Sequence, residues 1–280
     1  MSVKIIVDST SDFVPEIQER LKVVPLSVFF GDTEYIDGVT ITRKEFYEKL
    51  IESDVLPTTS QATPQAFAEA FQEAVEQGHE VVAVTIASKL SGTYQSASIA
   101  AQDFPGKVFV VDSGSVTIGA AILVEYGLRL ADQGMDAASI AAELTKKRED
   151  IRLLALLDTL EYLKKGGRIS KTMALAGGLL SIKPVVNVKD GEIVVLGKAR
   201  GSKQGNNLLV TEIDKAGGVD FSMPLMLGYT GLNDQLLEKY VQDSAALWAG
   251  HADSLRTTCV GSVVGTHAGP GAIAVAFFKP

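Results

Sequence analysis

Residues 81–115 read VVAVTIASKLSGTYQSASIAAQDFPGKVFVVDSGS, and this stretch decides the fold. The run 81–86 is apolar almost throughout, the pattern of a strand buried on both faces. A hydroxyl-rich loop, Ser88 to Thr93, follows it, and small residues through about Ala101 suit a closely packed helix. Residues 108–111 (VFVV) form the next strand, which ends in Asp112-Ser113-Gly114-Ser115. Strand, helix and strand in this order make a parallel crossover.

The same rhythm extends in both directions. Upstream, 3–7 (VKIIV) is a buried strand ending in Asp8-Ser9-Thr10-Ser11-Asp12, and 22–30 is extended. A helix over 42–53 places Phe46, Leu50 and Ile51 on one face, and a polar loop covers 57–62. Thr63-Pro64 is a helix start, with Thr as N-cap and Pro at the first helical position. Phe67, Phe71 and Ala74 then recur at the spacing of one buried helix face. Downstream, helices over 118–132 and 137–149 lead to a fourth strand, 153–157. Strands alternating with helices predict a parallel sheet covered on both faces.

Beyond residue 157 the rhythm changes. Residues 158–180 read as two short helices broken at 165–168. Strands 183–188 and 192–196 are joined by Asp190-Gly191, a hairpin signal. A helix over 205–216, a strand over 224–229, a helix over 232–249 and strands over 257–264 and 272–278 complete the chain. The expectation is an α/β protein of two domains: residues 1–157 with a parallel sheet between helices, and residues 158–280 with a mixed or antiparallel sheet backed by helices.

Composition narrows the function. Of 280 residues, 46% are hydrophobic and 21% charged, which argues against intrinsic disorder. The net charge of −8 argues against a nucleic-acid partner, whose phosphates demand cations. A single cysteine, Cys259, allows no internal disulfide and fits a reducing cytoplasm. The three histidines, His79, His251 and His267, have no metal-ligand spacing. No apolar run approaches a membrane span, and the first residues read as a strand rather than a signal peptide.

Three strand ends carry hydroxyl-rich loops, at 8–11, 88–93 and 112–115. Ligands in open α/β sheets bind outside the carboxyl ends of strands, where helix N-termini favour anions. Such loops are also ordinary helix caps. Gly92 in Ser91-Gly92-Thr93 allows a close approach by ligand or backbone. No hydrolase elbow, P-loop or dinucleotide fingerprint is present. Gly265-Thr266-His267-Ala268-Gly269-Pro270-Gly271 reads as a loop between two strands that either presents His267 or simply fixes a tight connection. His79 and His251 each follow a glycine at a helix end, Cys259 reads as a small core residue, and Trp248 as packing.

Taken together, Asp8–Asp12, Thr59-Ser60-Gln61, residues 91–97 (SGTYQSA), Val111-Asp112-Ser113, residues 162–169 (YLKKGGRI), Lys183-Pro184, Arg200 and residues 265–271 resemble the DegV family over the full length. Characterised members of that family are bacterial fatty-acid-binding proteins that work with a fatty acid kinase. The resemblance implies a three-layer α/β/α domain and a two-layer α/β domain with a lipid between them. It implies that Thr59 and Ser91 hold the carboxylate, with Ser60, Gly92, Thr93, Ser113 and His267 around it. Arg168 and Arg200 are then placed near the head group or the kinase-facing surface. The implied role is a cytoplasmic carrier in phospholipid metabolism that presents the carboxylate to a separate kinase and carries the acyl phosphate away. A long-chain fatty acid is its ligand, no cofactor is needed, and transient membrane contact serves lipid exchange. The alternative is a stand-alone acyl- or phosphoryl-transfer enzyme using Ser91 or His267. One departure is Ala62, where many members have proline.

Charge supports the division into halves. Residues 1–157 hold 13 basic and 23 acidic side chains, a balance of −10. Residues 158–280 hold 13 basic and 11 acidic, a balance of +2. Within 164–203, nine basic residues face only Asp190 and Glu192. A solvated surface explains such a cluster, and so does a docking patch for an anionic head group or an acidic partner.

Overall fold

A computed structural model describes residues 2–169 and 182–280. The elements run β1 (Val3–Asp8), α1 (Pro15–Gln18), β2 (Lys22–Val24), β3 (Ser27–Phe30), β4 (Thr33–Ile36), α2 (Arg43–Glu52), β5 (Thr58–Ser60), α3 (Pro64–Glu76), β6 (Glu80–Thr85), α4 (Thr93–Ala100), β7 (Val108–Asp112), α5 (Thr117–Asp132) and α6 (Ala137–Lys147). They continue with β8 (Ile151–Leu156), α7 (Glu161–Lys165), β9 (Ile182–Lys189), β10 (Glu192–Arg200), α8 (Gly201–Lys215), β11 (Met226–Tyr229), α9 (Gln235–Asp243), β12 (Thr257–Cys259), α10 (Ser262–Ala268) and β13 (Ile273–Phe278).

The first sheet is parallel, in the order β2-β1-β6-β7. Side chains alternate along its strands. Ile5, Val7, Val82 and Val84 pack toward Ile118 and Ile122 of α5 and Ile140 and Leu144 of α6. Ile6, Val81 and Ala83 pack toward Phe67 and Phe71 of α3 and Ala97 of α4. This is the expected three-layer arrangement. Thr63 caps α3 by accepting from the Ala66 N–H at 3.2 Å, and Pro64 opens the helix. On α2, Phe46 and Leu50 are buried as expected, but Ile51 is exposed.

The second sheet is mixed, in the order β10-β9-β8-β13-β11-β12. Only the β11–β12 pair is parallel. The β9–β10 turn is the expected hairpin, with Asp190 and Gly191 both at positive φ (51° and 76°), as a two-residue turn of this hand requires. Ile273, Val275 and Phe277 face Leu209 and Ile213 of α8 and Leu237 and Tyr240 of α9. Trp248 is fully buried in that core, a packing residue as read.

Three expectations are corrected. The strand expected to close the first sheet, 153–157, lies in the second, antiparallel to β13 and β9. The sheets therefore change ahead of Ile151 rather than after Leu157; an apolar run shows burial but not which neighbour it pairs with. Residues 57–62 are not all loop: β5 joins β3 and β4 in a small antiparallel sheet. Residues 257–264 are not one strand, since β12 ends at Cys259 and α10 begins at Ser262. The second short helix read into 158–180 lies outside the described residues.

Candidate functional site

A cavity of about 120 Å³ opens between the two sheets. Its walls come from both halves of the chain. Val186, Ala155, Ala274 and Gly228 stand side by side on β9, β8, β13 and β11, linked pairwise by strand register. Opposite them lie Ile86, Leu90 and Val116 at the strand ends of the first sheet and Val263 and Val264 of α10. This lining is apolar. Polar lining comes from Thr59, Ser60 and Gln61 of β5 and its exit, Ser91 before α4, Arg168 after α7 and His267 of α10, and also from Thr117, Tyr229 and Thr230.

Thr59 and His267 meet directly, with Oγ1 and Nε2 2.9 Å apart. His267 sits on a helix rather than on the expected strand-to-strand loop. That helix is pressed close to its surroundings. A Cβ on Gly265 would run into Phe46 and Tyr47 of α2, and one on Gly166 would run into the His267 ring at Nδ1. Nδ1 is buried without a hydrogen-bond partner among the described residues. Burial first, and Arg168 second, push the His267 pKa down to about 4, so the ring is neutral at physiological pH.

Arg168 is fixed by its own neighbourhood. Nε donates to the Leu90 carbonyl at 3.3 Å and Nη1 to the Gly166 carbonyl at 2.6 Å. Half-burial lowers its pKa from the usual arginine value. Ser91 Oγ lies 2.9 Å from Thr93 Oγ1 and accepts from the Thr93 N–H at 3.2 Å, which ties it to the first turn of α4. Gln61 Nε2 donates to Ser96 Oγ at 3.0 Å, and its amide oxygen fills the place where a Cβ of Gly92 would stand. Gly92 thus makes room for a protein side chain.

Thr59, Ser60, Ser91, Arg168 and His267 all line the cavity, and Thr59 and His267 touch. Gly92 and Thr93 support these residues without lining the cavity. Ser113 does not reach it: the residue is buried and its hydroxyl donates to the Ser115 carbonyl at 3.0 Å. Arg200 does not line it either; its residue is exposed, and its N–H is bound by the Gln204 side chain at the start of α8. The three hydroxyl loops do stand at the same end of the parallel sheet, but most of their groups satisfy one another. Asp8 accepts from the Thr10 and Ile86 N–H groups, and Asp112 accepts from Ser88. Only the loop over 88–93 turns a hydroxyl, that of Ser91, to the cavity.

The other histidines stand apart. His79 Nδ1 lies 2.7 Å from the Ser2 hydroxyl, and His251 stacks on Phe221. Cys259 is half-buried, with a thiol pKa pushed up to about 11 by burial, unlike a nucleophile. In the basic cluster, Lys165 pairs with Glu161 and Lys183 with Asp158, and Lys171 lies outside the described residues. Gln61, Tyr229 and Thr230 line the cavity without having been assigned a site role. For Gln61 the signal was its place directly after Thr59-Ser60.

The sequence pattern of the family described as "Uncharacterised protein, DegV family" matches residues 2–280. A DegV domain-containing protein of Deinococcus radiodurans is 36% identical over 282 residues, covering 99% of this chain and 98% of its own. Among solved structures, a DegV family protein from Thermus thermophilus described for its fatty acid binding superposes with a TM-score of 0.89 at 32% identity, covering 100% of both chains. The Fatty Acid Kinase (Fak) B3 protein of Streptococcus pneumoniae, loaded with linoleic acid, superposes with a TM-score of 0.86 at 25% identity, again covering 100% of both chains. With the family pattern running over nearly all of its length, and a relative 36% identical over almost the whole chain, this chain belongs to the DegV family.

Proposed function

We propose that this protein holds a long-chain fatty acid in the cavity between its sheets, with the carboxylate at Thr59, Ser91, His267 and Arg168, and serves a separate fatty acid kinase as its lipid carrier. The observation that carries this reading is a mostly apolar cavity between the sheets whose lining includes the Thr59–His267 pair, Ser91 and Arg168. The fatty acids in related structures support it.

Tail burial supplies most of the affinity. About fifteen methylenes at ~0.8 kcal/mol each give roughly 12 kcal/mol before the costs of association. Hydrogen bonds to the charged head contribute about 1.5–3 kcal/mol each and fix its direction. A neutral His267 suits this task. With the proton on Nε2, it donates to Thr59 Oγ1, whose own hydrogen is then free for the carboxylate. Nδ1 remains as an unpartnered acceptor, the less costly kind of buried orphan. Among the described residues Arg168 adds the one positive charge in the lining, and the exposed Arg200 is available to the kinase or to the phosphorylated head. Two features support a cytoplasmic location: the lone cysteine, and the absence among the described residues of any helix long and apolar enough to cross a membrane.

The stand-alone enzyme finds little support. Ser91 bonds to Thr93 rather than to a base, and His267 has no carboxylate on Nδ1 to orient it. Mass spectrometry of lipid extracted from the purified protein tests the carrier reading: a fatty acid in near-equimolar amount is expected. An empty protein that also takes up none on addition would overturn it, and phosphorylation of the acid by this protein alone would favour the enzyme.

A further inference from the structure

The N-terminus of α10 is held by two buried carboxylates from the other half of the chain. Asp12 Oδ1 accepts from the Gly261 N–H at 2.8 Å and from Arg43 Nη2 at 3.2 Å, and its Oδ2 accepts from Thr117 Oγ1 at 2.6 Å. Asp37 Oδ1 accepts from the Ser262 N–H at 3.2 Å and from the Ser262 hydroxyl at 2.5 Å. Asp12 is 1% exposed and Asp37 7%.

Two consequences meet at this clasp. Negative groups stand at the positive end of α10, while His267 lies in its last turn, against Thr59. The same Asp12 also holds Thr117, a cavity-lining residue with φ of 47°, in the left-handed region that a β-branched side chain adopts only under constraint. Burial raises the pKa of both acids, Asp12 to about 6, even with Arg43 beside them. An ionised pair kept here is a cost to folding. What the pair does is geometric.

We propose that Asp12 and Asp37 are positioning residues of the head-group site: by capping α10 from the first-half loops they set where His267 meets Thr59 and hold the Thr117 wall of the cavity. The inference rests on the fatty-acid reading for its ligand, but the geometry it assigns has a readout of its own.

The test uses the full chain carrying Asp12→Asn, Asp37→Asn or Asp37→Ala, with nitrogen-15 labelled histidine. Imidazole resonances report the environment of His267, with His79 and His251 as internal controls. Palmitate titration gives the dissociation constant, and thermal melting monitors the fold. The His267 resonances should shift, the other two should stay, and palmitate should bind about tenfold more weakly. Folded variants with wild-type His267 resonances overturn the proposal, whether or not affinity changes. So does wild-type palmitate affinity alongside a shifted His267. If Asp37→Ala fails to fold, Asp37→Asn, which keeps a carbonyl acceptor for Ser262, carries the same readouts. If the wild-type protein binds no palmitate at all, the fatty-acid reading falls, and the His267 resonances alone decide whether the clasp positions α10.

Discussion

The two sheets use one alternation rule to opposite ends. In the parallel sheet both faces are covered by helices, and residues such as Ala83 and Val84 are wholly buried. In the mixed sheet one face packs on α8 and α9, while part of the other remains bare as the cavity floor. Ala155 in that floor is only partly buried although it sits on a central strand. A small residue means close packing in one sheet and vacant volume in the other. The proposed ligand site follows from that difference: the first sheet supplies loops and polar residues, the second an uncovered apolar surface.

The sharpest way to break this comparison is a paired enlargement. Ala155→Phe should fill the cavity, lower palmitate affinity more than 100-fold and leave the melting temperature nearly unchanged. Ala83→Phe should overpack the α3 face and destabilise by about 3 kcal/mol or more, read by denaturant unfolding. Equal stability losses in the two variants would show that the floor is ordinary core.

The polar lining should give a smaller effect. Thr59→Ala and Ser91→Ala each remove one hydroxyl from a charged head group and should weaken palmitate binding about 10–100-fold by titration. An unchanged constant would remove that hydroxyl from the site.

The clasp gives a pH signature. Because the folded pKa of Asp12 is raised to about 6, the folded state binds more protons than the unfolded state from about pH 4 to 6, and this contribution to stability falls as pH rises. Asp12→Asn abolishes it. The test is the slope of melting temperature against pH between about pH 4 and 6, which should be flatter in the variant than in wild type. His267 acts in the opposite sense. Its pKa is lowered to about 4, so its contribution rises with pH through the same range. His267→Gln should flatten that rise. The smallest effect on lipid binding belongs to Arg200→Ala, which should leave palmitate affinity unchanged while slowing turnover with a fatty acid kinase. Unchanged turnover would place the kinase contact elsewhere.

Much of this was legible in the sequence because local rules are strong. Thr63-Pro64 marked a helix start, Asp190-Gly191 a hairpin, and the apolar runs at 3–7, 81–86 and 108–111 the parallel sheet. What was not legible depended on partners distant in the chain. The run at 153–157 was plainly a strand, but its register with Ile273 and Val186 is set by tertiary packing. The segment 262–268 carries Val263, Val264 and two interior glycine or threonine positions, so its propensity points away from a helix. The capping carboxylates and the rings of Phe46 and Tyr47 override that tendency. Thr59, Ser91 and His267 were named from a resemblance, and the structure brings them together. Ser113 came from the same source and stands away from the cavity, since a motif does not say where a hydroxyl spends its hydrogen, while Arg200 is exposed, as a partner-facing residue would be.

Helix α5 has a further consequence. Of its 16 residues, 11 are buried, and they pack against the parallel sheet, α6 and the mixed sheet alike. Only the stripe of Glu125, Arg129 and Asp132 is turned toward water, and the remaining sides of the helix are buried. Neither sheet can therefore part from the other without stranding it, and the two halves are bound to unfold together. For the carrier proposed above, this helix favours access to the cargo through movement at the rim of the cavity over parting of the two sheets.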